Sequence, residues 1–185
     1  VLLLPVVMGI TYAFQGEVLR IEAAVYHSFL IGMVSYVIMR FFVYDFSALY
    51  AFGQGITTTI FRFFKPFGSA APFVLPIYTI AIAILYWIFS LIGNMEGEWQ
   101  QMFLFLLSFT FTMHIVMTAQ ELYNKDSSAG KPDYFFGMSL VYIVDLFFIA
   151  LLLNLTLADF SFLRFFLALT GTSFDIYKGV FCQLF

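Results

Sequence analysis

Charged residues are scarce in this sequence. Only 10% of the 185 residues are charged, and the formal net charge is -3. A soluble domain is about 25% charged, so this composition cannot supply a solvated surface around a single core. An intrinsically disordered chain is excluded because it would carry more charge. A nucleic-acid-binding protein is excluded because the chain is acidic and has no run of Lys and Arg.

Cysteine and catalytic motifs are also nearly missing. Cys182 is the single cysteine, which excludes a disulfide scaffold. Because no His stands near it in the sequence, it is expected to pack as a small apolar residue. The sequence contains no nucleotide-binding loop, nucleophile elbow, haem-binding pair or Cys-rich metal pattern. We therefore expect a protein with no catalytic residues, no cofactor and no bound metal.

Apolar residues, in contrast, are abundant. Hydrophobic residues make up 63% of the chain and aromatic residues 22%, with 27 Phe among them. This composition predicts an integral membrane protein of a bacterial inner membrane or an equivalent membrane. The segments 80–92 and 140–153 are apolar on nearly every face. Barrel strands would alternate apolar and polar residues, so the predicted class is all-α.

The apolar runs predict about five transmembrane helices, since roughly 17 to 25 residues are needed to cross the hydrocarbon. The first run, 1–14, is short and is interpreted as the end of a truncated transmembrane helix, with the h-region of a signal sequence or an interfacial segment as alternatives. The four longer spans are 23–44, 71–93, 101–119 and 134–157. The predicted fold is a polytopic helical bundle that forms a single transmembrane domain over 1–185.

Two further apolar stretches predict one or two interfacial or re-entrant helices. Segment 46–67 ends in aromatic and cationic residues that suit the headgroup level. Segment 160–185 is interrupted by Thr170-Gly171-Thr172-Ser173 and is expected to form two short interfacial helices, with a sixth span as the alternative. Pro72 and Pro76 are expected to mark the start of the third span, because a missing N–H does least damage in a first turn.

The distribution of cations predicts the orientation for five spans. One side carries Arg40, Arg62, Lys65, Lys125 and Lys131, whereas the other carries Arg20, Arg164 and Lys178. Since cytoplasmic loops carry an excess of Lys and Arg, the first side is expected to be cytoplasmic. The N-terminus then lies in the cytoplasm and the C-terminal tail outside.

Few ionisable residues fall at membrane depth, where each is a functional candidate because an unpaired charge there is costly. Asp145 lies near the middle of the fifth span and His114 lies in the fourth. Helical spacing places them on two polar stripes, Thr110, His114, Thr118 and Glu121 on the fourth span and Ser139, Tyr142 and Asp145 on the fifth. The short loop 124–133 predicts antiparallel neighbours, with Tyr142 at nearly the depth of His114 and Arg40 in the same leaflet if the second span packs beside them.

These stripes have two interpretations. In the first, Asp145, His114 and Arg40 serve a proton or cation relay, or form a polar floor for a substrate cavity. In the second, which we favour, the polar side chains are hydrogen-bonded contacts between helices. One Asp and one His are sparse for a transport path.

A second group of candidates is expected at the outer interface. On the predicted topology, His27 shares that side with Glu96 and Glu98. A His with several carboxylates can bind a divalent metal, but the spacings match no ligand motif. We therefore interpret His27 as an interfacial hydrogen-bonding residue, and we expect Glu17 to pair with Arg20 one turn away.

The function expected from these features is that of a non-catalytic membrane subunit, a scaffold or anchor of a larger assembly. Its partners would be membrane lipids and other membrane subunits, with lipid handling as a further option and no nucleic acid. The alternative is a small transporter or channel that uses Asp145, His114 and Arg40. A membrane enzyme with a site at the outer interface is the third hypothesis.

Overall fold

A computed structural model of the chain describes residues 3–42, 45–62, 71–93, 97–126 and 132–184. The predicted all-α class is confirmed, since these residues form eight helices. The helices are α1 (Leu4–Val18), α2 (Ala23–Phe42), α3 (Ser47–Phe61), α4 (Ala71–Val74), α5 (Ile77–Ile92), α6 (Glu98–Asp126), α7 (Pro132–Thr156) and α8 (Phe162–Leu184).

Three of the described helices are long and apolar enough to cross a membrane. They are α2, the part of α6 over Glu98–Asn124, and the part of α7 over Tyr134–Thr156. These helices coincide with the predicted spans 23–44, 101–119 and 134–157, and they support the assignment to the membrane class. The predicted spans and the observed helices agree here because each is one continuous apolar run, which hydropathy alone identifies.

The prediction of about five transmembrane helices is wrong for the described residues, which hold three. Helix α1 has 15 residues and is about 22 Å long at about 1.5 Å per residue, less than the roughly 30 Å of hydrocarbon. Segment 71–93 is not one helix, and α5 has only 16 residues. The predicted orientation was counted for five crossings, so it remains a prediction.

Pro76 separates α4 from α5 instead of lying in a first turn of one helix. Its backbone has φ -75° and ψ 75°, the geometry of an inverse γ-turn. The N–H of Ile77 accordingly donates to the carbonyl of Leu75 at 2.9 Å. In a continuous helix that N–H would bond to Phe73, and the N–H that Pro76 lacks would bond to Pro72. The prediction that the prolines lie near the start of this segment is confirmed, but the break at Pro76 was not predicted.

The predicted interruption of the C-terminal segment is also wrong, because α8 is one continuous helix of 23 residues. The Thr170 hydroxyl donates to the backbone carbonyl of Leu167 at 2.9 Å, so this polar residue is satisfied by its own helix. Gly171 costs about 1 kcal/mol relative to Ala inside a helix, too little to end it. The other predicted interfacial segment, 46–67, contains α3, and its residues 63–67 lie outside the described part.

The described chain divides into two compact units. Unit 1 consists of residues 1–22 and 129–185, with helices α1, α7 and α8, and unit 2 consists of residues 23–128, with α2 to α6. Each unit has its own buried core. The single transmembrane domain over 1–185 stays a prediction.

In unit 1, α1 and α8 run antiparallel and pack closely. Gly9 permits this approach, because a Cβ there would lie 2.1 Å from the Ser173 Oγ. The Phe14 ring packs on Phe160 and Phe165 with centroids 6.2 and 6.4 Å apart. These apolar contacts leave one end of α1, at Glu17, beside the start of α8.

In unit 2, α2 runs parallel to α6 and α5 runs antiparallel to it. Gly32 of α2 lies against the Phe105 carbonyl, and the buried Tyr36 ring packs edge-on against Phe109 at 5.4 Å. On α5, the Tyr86 ring packs on Phe103 at 5.2 Å, close to the beginning of α6. Helix α6 is therefore the central helix against which the polar residues of this unit are arranged.

Candidate functional site

His114 is buried at the helix break of unit 2. Only 6% of its surface is exposed, and its imidazole is hydrogen-bonded to the backbone of Phe73. Phe73 is the residue that loses its helical bond when Ile77 donates to Leu75. The imidazole therefore supplies a hydrogen-bond partner for the Phe73 backbone, which lost its helical partner at the break caused by Pro76.

The polar stripe of α6 contacts α3 and α5 along its length. The Thr110 hydroxyl lies 3.2 Å from that of Thr79, and the Thr118 hydroxyl lies 2.7 Å from that of Tyr50. At the end of the stripe, the side-chain amide of Gln54 donates to a Glu121 carboxylate oxygen. The stripe predicted from helical spacing thus lies on one face of α6, and the structure supplies partners for it that no spacing could identify.

Two adjoining cavities follow this stripe. A small cavity of ≈ 10 Å³ lies beside His114, and a larger one of ≈ 280 Å³ opens between α3 and α6. The larger one, here named the α3–α6 cleft, has the polar lining residues Ser47, Tyr50, Gln54, Gln120, Glu121 and Asn124. Tyr50 and Gln54 line both cavities. The smaller cavity is about the size of one water molecule.

Arg40 lies beside the cleft at the end of α2. Its guanidinium donates to the Gln120 side-chain carbonyl at 3.0 Å, which brings it to the same end of α6 as Glu121. Asp45 adds an acidic group here, and its carboxylate accepts a hydrogen bond from the backbone N–H of Ser47 at 3.0 Å. This bond, with a smaller contribution from the Arg40 charge, lowers the pKa of Asp45. Sequence reasoning missed Asp45, although an Asp just before a helix is a common turn signal.

Tyr142 and Asp145 belong to unit 1. The Tyr142 hydroxyl lies 3.0 Å from the Thr11 hydroxyl and so joins α7 to α1. Asp145, one turn further along α7, is fully buried. Whether Tyr142 lies at the depth of His114 concerns both units and stays a prediction.

An ion pair between the buried Glu17 and the partly exposed Arg164 in unit 1 was missed as a candidate. The Glu17 side chain is 5% exposed, and it lies 3.1 Å from the Arg164 guanidinium. The backbone N–H of Ser161 also donates to it at 3.4 Å. The expected pair with Arg20 is confirmed at 3.4 Å, but that side chain is 63% exposed. The available signal was that Glu17 and Arg164 fall on the same predicted side of the membrane.

Two of the three candidates for the outer interface lie within the described residues. His27 is exposed on α2, and its ring packs on Tyr26 with centroids 5.8 Å apart. Glu98 is exposed in the first turn of α6, whereas Glu96 lies outside the described residues. Within the described ranges, no three His, Cys, Asp or Glu side chains come together in a way that could hold a metal ion.

The arrangement in unit 2 offers hydrogen-bonding groups, one buried imidazole and one carboxylate, all next to small cavities. Such groups can join helices, hold water or bind a cationic group. No protein-family model matches the chain, and neither a curated protein nor a solved structure is significantly similar to it. The function is therefore argued from the geometry of these residues.

Proposed function

We propose that this chain is a non-catalytic integral membrane subunit that acts as a scaffold or anchor. The observation that carries the proposal is that polar side chains of its apolar helices join one helix to another. Tyr142 bonds to Thr11, Tyr50 to Thr118, and Thr79 to Thr110. In a membrane, such bonds contribute about 0.6 to 2 kcal/mol each to helix association.

The exposed face of α2 supports a role in contacts with other membrane components. Ile31, Val34, Ile38 and Phe41 lie on one helical stripe and are 57, 55, 52 and 82% exposed. Only 22% of the most apolar window of α2 is buried within the chain, against 50% for α6. This stripe is suited to lipid or to an apolar helix of another subunit.

The path of the chain through unit 2 supports a further crossing. Two parallel helices that both cross a membrane require a return crossing between them, and α2 and α6 are parallel. We propose that α4 and α5 together make this return as a broken span, since broken helices are tolerated at membrane depth where protein buries them. The end with Arg40, Arg62 and Lys125 would be cytoplasmic because it carries the cations.

Substitution of Asp145 tests the scaffold role. Asp145→Asn keeps the shape and most hydrogen-bonding capacity, so native purification should recover the same partner subunits as the wild type. Asp145→Leu removes the hydrogen-bonding oxygens and should weaken helix association in unit 1 by about 1 to 2 kcal/mol. The measurement is the set of membrane proteins that co-purify after mild extraction, together with thermal unfolding.

Two results would count against the scaffold. One is a wild-type chain that purifies alone from its native membrane. The other is a folded Asp145→Asn variant that keeps its partners but has lost all activity of the assembly. The second result would favour the transporter hypothesis, because only a group that exchanges protons needs the ionisable carboxyl.

A second candidate function, passage of protons or cations, is favoured by the helix break. Discontinuous helices bind ions in many transporters, because the break releases backbone carbonyls at membrane depth. Here the break adjoins His114 and a cavity of ≈ 10 Å³, and the shared residues Tyr50 and Gln54 lie between that cavity and the open cleft. The polar residues would then form a path from Glu121 towards His114.

Proton flux into liposomes tests this second candidate. His114→Gln retains a side-chain donor for the Phe73 backbone but cannot carry a proton at neutral pH. If the path conducts protons, this variant should lose at least about tenfold of the flux while its thermal unfolding is unchanged. His27→Gln, at an exposed position, is the matched control, and under the same condition it should keep the proton flux of the wild type. On the scaffold proposal, neither the wild type nor either variant conducts protons. A wild-type proton flux that is lost in His114→Gln would instead establish the transport function and replace the scaffold proposal.

A further inference from the structure

The α3–α6 cleft has the chemistry of a binding site that the scaffold role does not use. Its volume of ≈ 280 Å³ is at the lower limit of ligand pockets, which run from roughly 300 to 1,000 Å³. It therefore suits a small polar group better than a whole apolar ligand. Its polar lining comes from two helices, with Ser47 and Gln54 on α3 and Glu121 and Asn124 on α6.

The cleft lies at the end of the apolar helices, where lipid headgroups are found. Asn124, which lines the cleft, lies in the last turn of α6, since that helix ends at Asp126. At the same end of unit 2, Phe41 and Phe42 of α2 are 82 and 81% exposed, and Tyr123 of α6 is 49% exposed. Exposed aromatic residues of this kind mark the boundary between hydrocarbon and water.

The charges around the cleft are of both signs, and besides Glu121 they include Asp45, whose carboxylate accepts from the Ser47 N–H. Glu121 supplies a carboxylate in the lining, held in place by the Gln54 amide. Arg40 supplies a guanidinium beside the cleft, where it donates to Gln120, the residue that precedes Glu121 in α6. A ligand with one cationic and one anionic group would meet an opposite charge at each end.

The hydrogen-bonding groups restrict the cationic part of such a ligand. A primary ammonium has three N–H donors, which suit the Glu121 carboxylate and the side-chain oxygens of Asn124 and Ser47. A quaternary ammonium has no N–H donor and so could not hydrogen-bond to these acceptors. A purely anionic headgroup would be repelled by Glu121. The lining thus discriminates among phospholipid headgroups.

We propose that the α3–α6 cleft binds the headgroup of a phospholipid that carries a primary ammonium, with Glu121 accepting from the ammonium and Arg40 pairing with the phosphate. The apolar lining of the cleft comes from Ala51 and Met117. This site is independent of the scaffold role, because a subunit without it could still join an assembly.

Native mass spectrometry of the full chain in mild detergent tests the site. The protein is mixed with equal amounts of phosphatidylethanolamine, phosphatidylcholine and phosphatidylglycerol, and the retained lipid is counted. The wild type should retain phosphatidylethanolamine about tenfold better than the other two, the value expected for one charge-assisted hydrogen bond of about 1.4 kcal/mol. Equal retention of all three lipids would overturn the proposal.

Variants assign the two ends of the headgroup. Glu121→Gln can still bond to Gln54, so it should fold normally and lose the preference for phosphatidylethanolamine. Arg40→Gln should reduce retention of all three lipids, because each of them carries the phosphate. Glu98→Gln removes an exposed carboxylate from the other end of α6 and should change nothing. An unaltered preference in a folded Glu121→Gln variant would refute the assignment.

A competition experiment identifies the source of the headgroup. Soluble phosphoethanolamine has the same charges but no acyl chains to contact the apolar lining and the adjoining helix surface. At a concentration equal to that of the lipid, it should not displace bound phosphatidylethanolamine. Displacement would show that the cleft takes a water-soluble ligand and would overturn the lipid as its occupant. Co-purification of partner subunits with Glu121→Gln separates a failure of this site from a failure of the scaffold proposal.

Discussion

Arg164→Gln is expected to destabilise unit 1 by about 2 to 3 kcal/mol. The substitution leaves the buried Glu17 carboxylate without its main cationic partner, and removal of one member of a fully buried pair typically costs about 3 to 5 kcal/mol. Because the Arg164 side chain is 49% exposed, solvent screening lowers this cost. The lower value is expected because Ser161 and Arg20 still contact the carboxylate. The free energy of unfolding of the purified chain in detergent measures this effect.

Arg20→Gln is the matched control for the ion pair. It removes the same charge from the same carboxylate, but the Arg20 side chain is 63% exposed, against 49% for Arg164. Arg164 also hydrogen-bonds to both Glu17 oxygens from another helix, whereas the pair with Arg20 joins neighbouring turns of the chain. Such exposed pairs contribute about 0.2 to 1 kcal/mol, so a change below about 0.5 kcal/mol is expected. Equal destabilisation by both substitutions would mean that the pairing of Glu17 with Arg164 does not stabilise the unit.

Gly32→Ala is expected to destabilise unit 2 by about 3 kcal/mol. A Cβ at this position would lie 2.1 Å from the Ser108 Oγ and 2.3 Å from the backbone carbonyl oxygen of Phe105. The hydroxyl can rotate away, but the carbonyl cannot move unless α2 and α6 separate. Overpacking of this kind costs about 1 to 3 kcal/mol, and a backbone obstacle places the cost at the upper end. Thermal or denaturant unfolding measures the change.

Two controls separate steric overlap from helix propensity. Gly137 and Gly171 also lie within helices, and a Cβ at either would meet no atom within 4 Å. Alanine there should be neutral or stabilising by up to about 1 kcal/mol. Combining Gly32→Ala with Ser108→Gly should not restore stability, because the Phe105 carbonyl remains. Full rescue by the double variant would show that the close approach of the two helices is not limited by backbone.

The α6 stripe shows how far the sequence could predict the site. Helical spacing placed Thr110, His114, Thr118 and Glu121 on one face, and the described residues of unit 2 use that face throughout. The spacing could not identify Tyr50 or Gln54 as partners. Those residues lie on α3, more than sixty positions away in the chain.

The sequence by itself determined the membrane class, the all-α architecture and the three helices long enough to span. Each of these depends on the hydropathy of one continuous segment, a local property that no distant residue alters. Only the tertiary structure showed where the helices are interrupted. The chain breaks at Pro76, whereas α8 continues through residues 170–173. The tertiary structure also decided that Glu17 meets Arg164 and that Arg40 meets Gln120. These pairings depend on which helix faces approach each other. The approach is set by the packing of small residues such as Gly9 and Gly32 against another helix. No local sequence pattern therefore encodes the pairings.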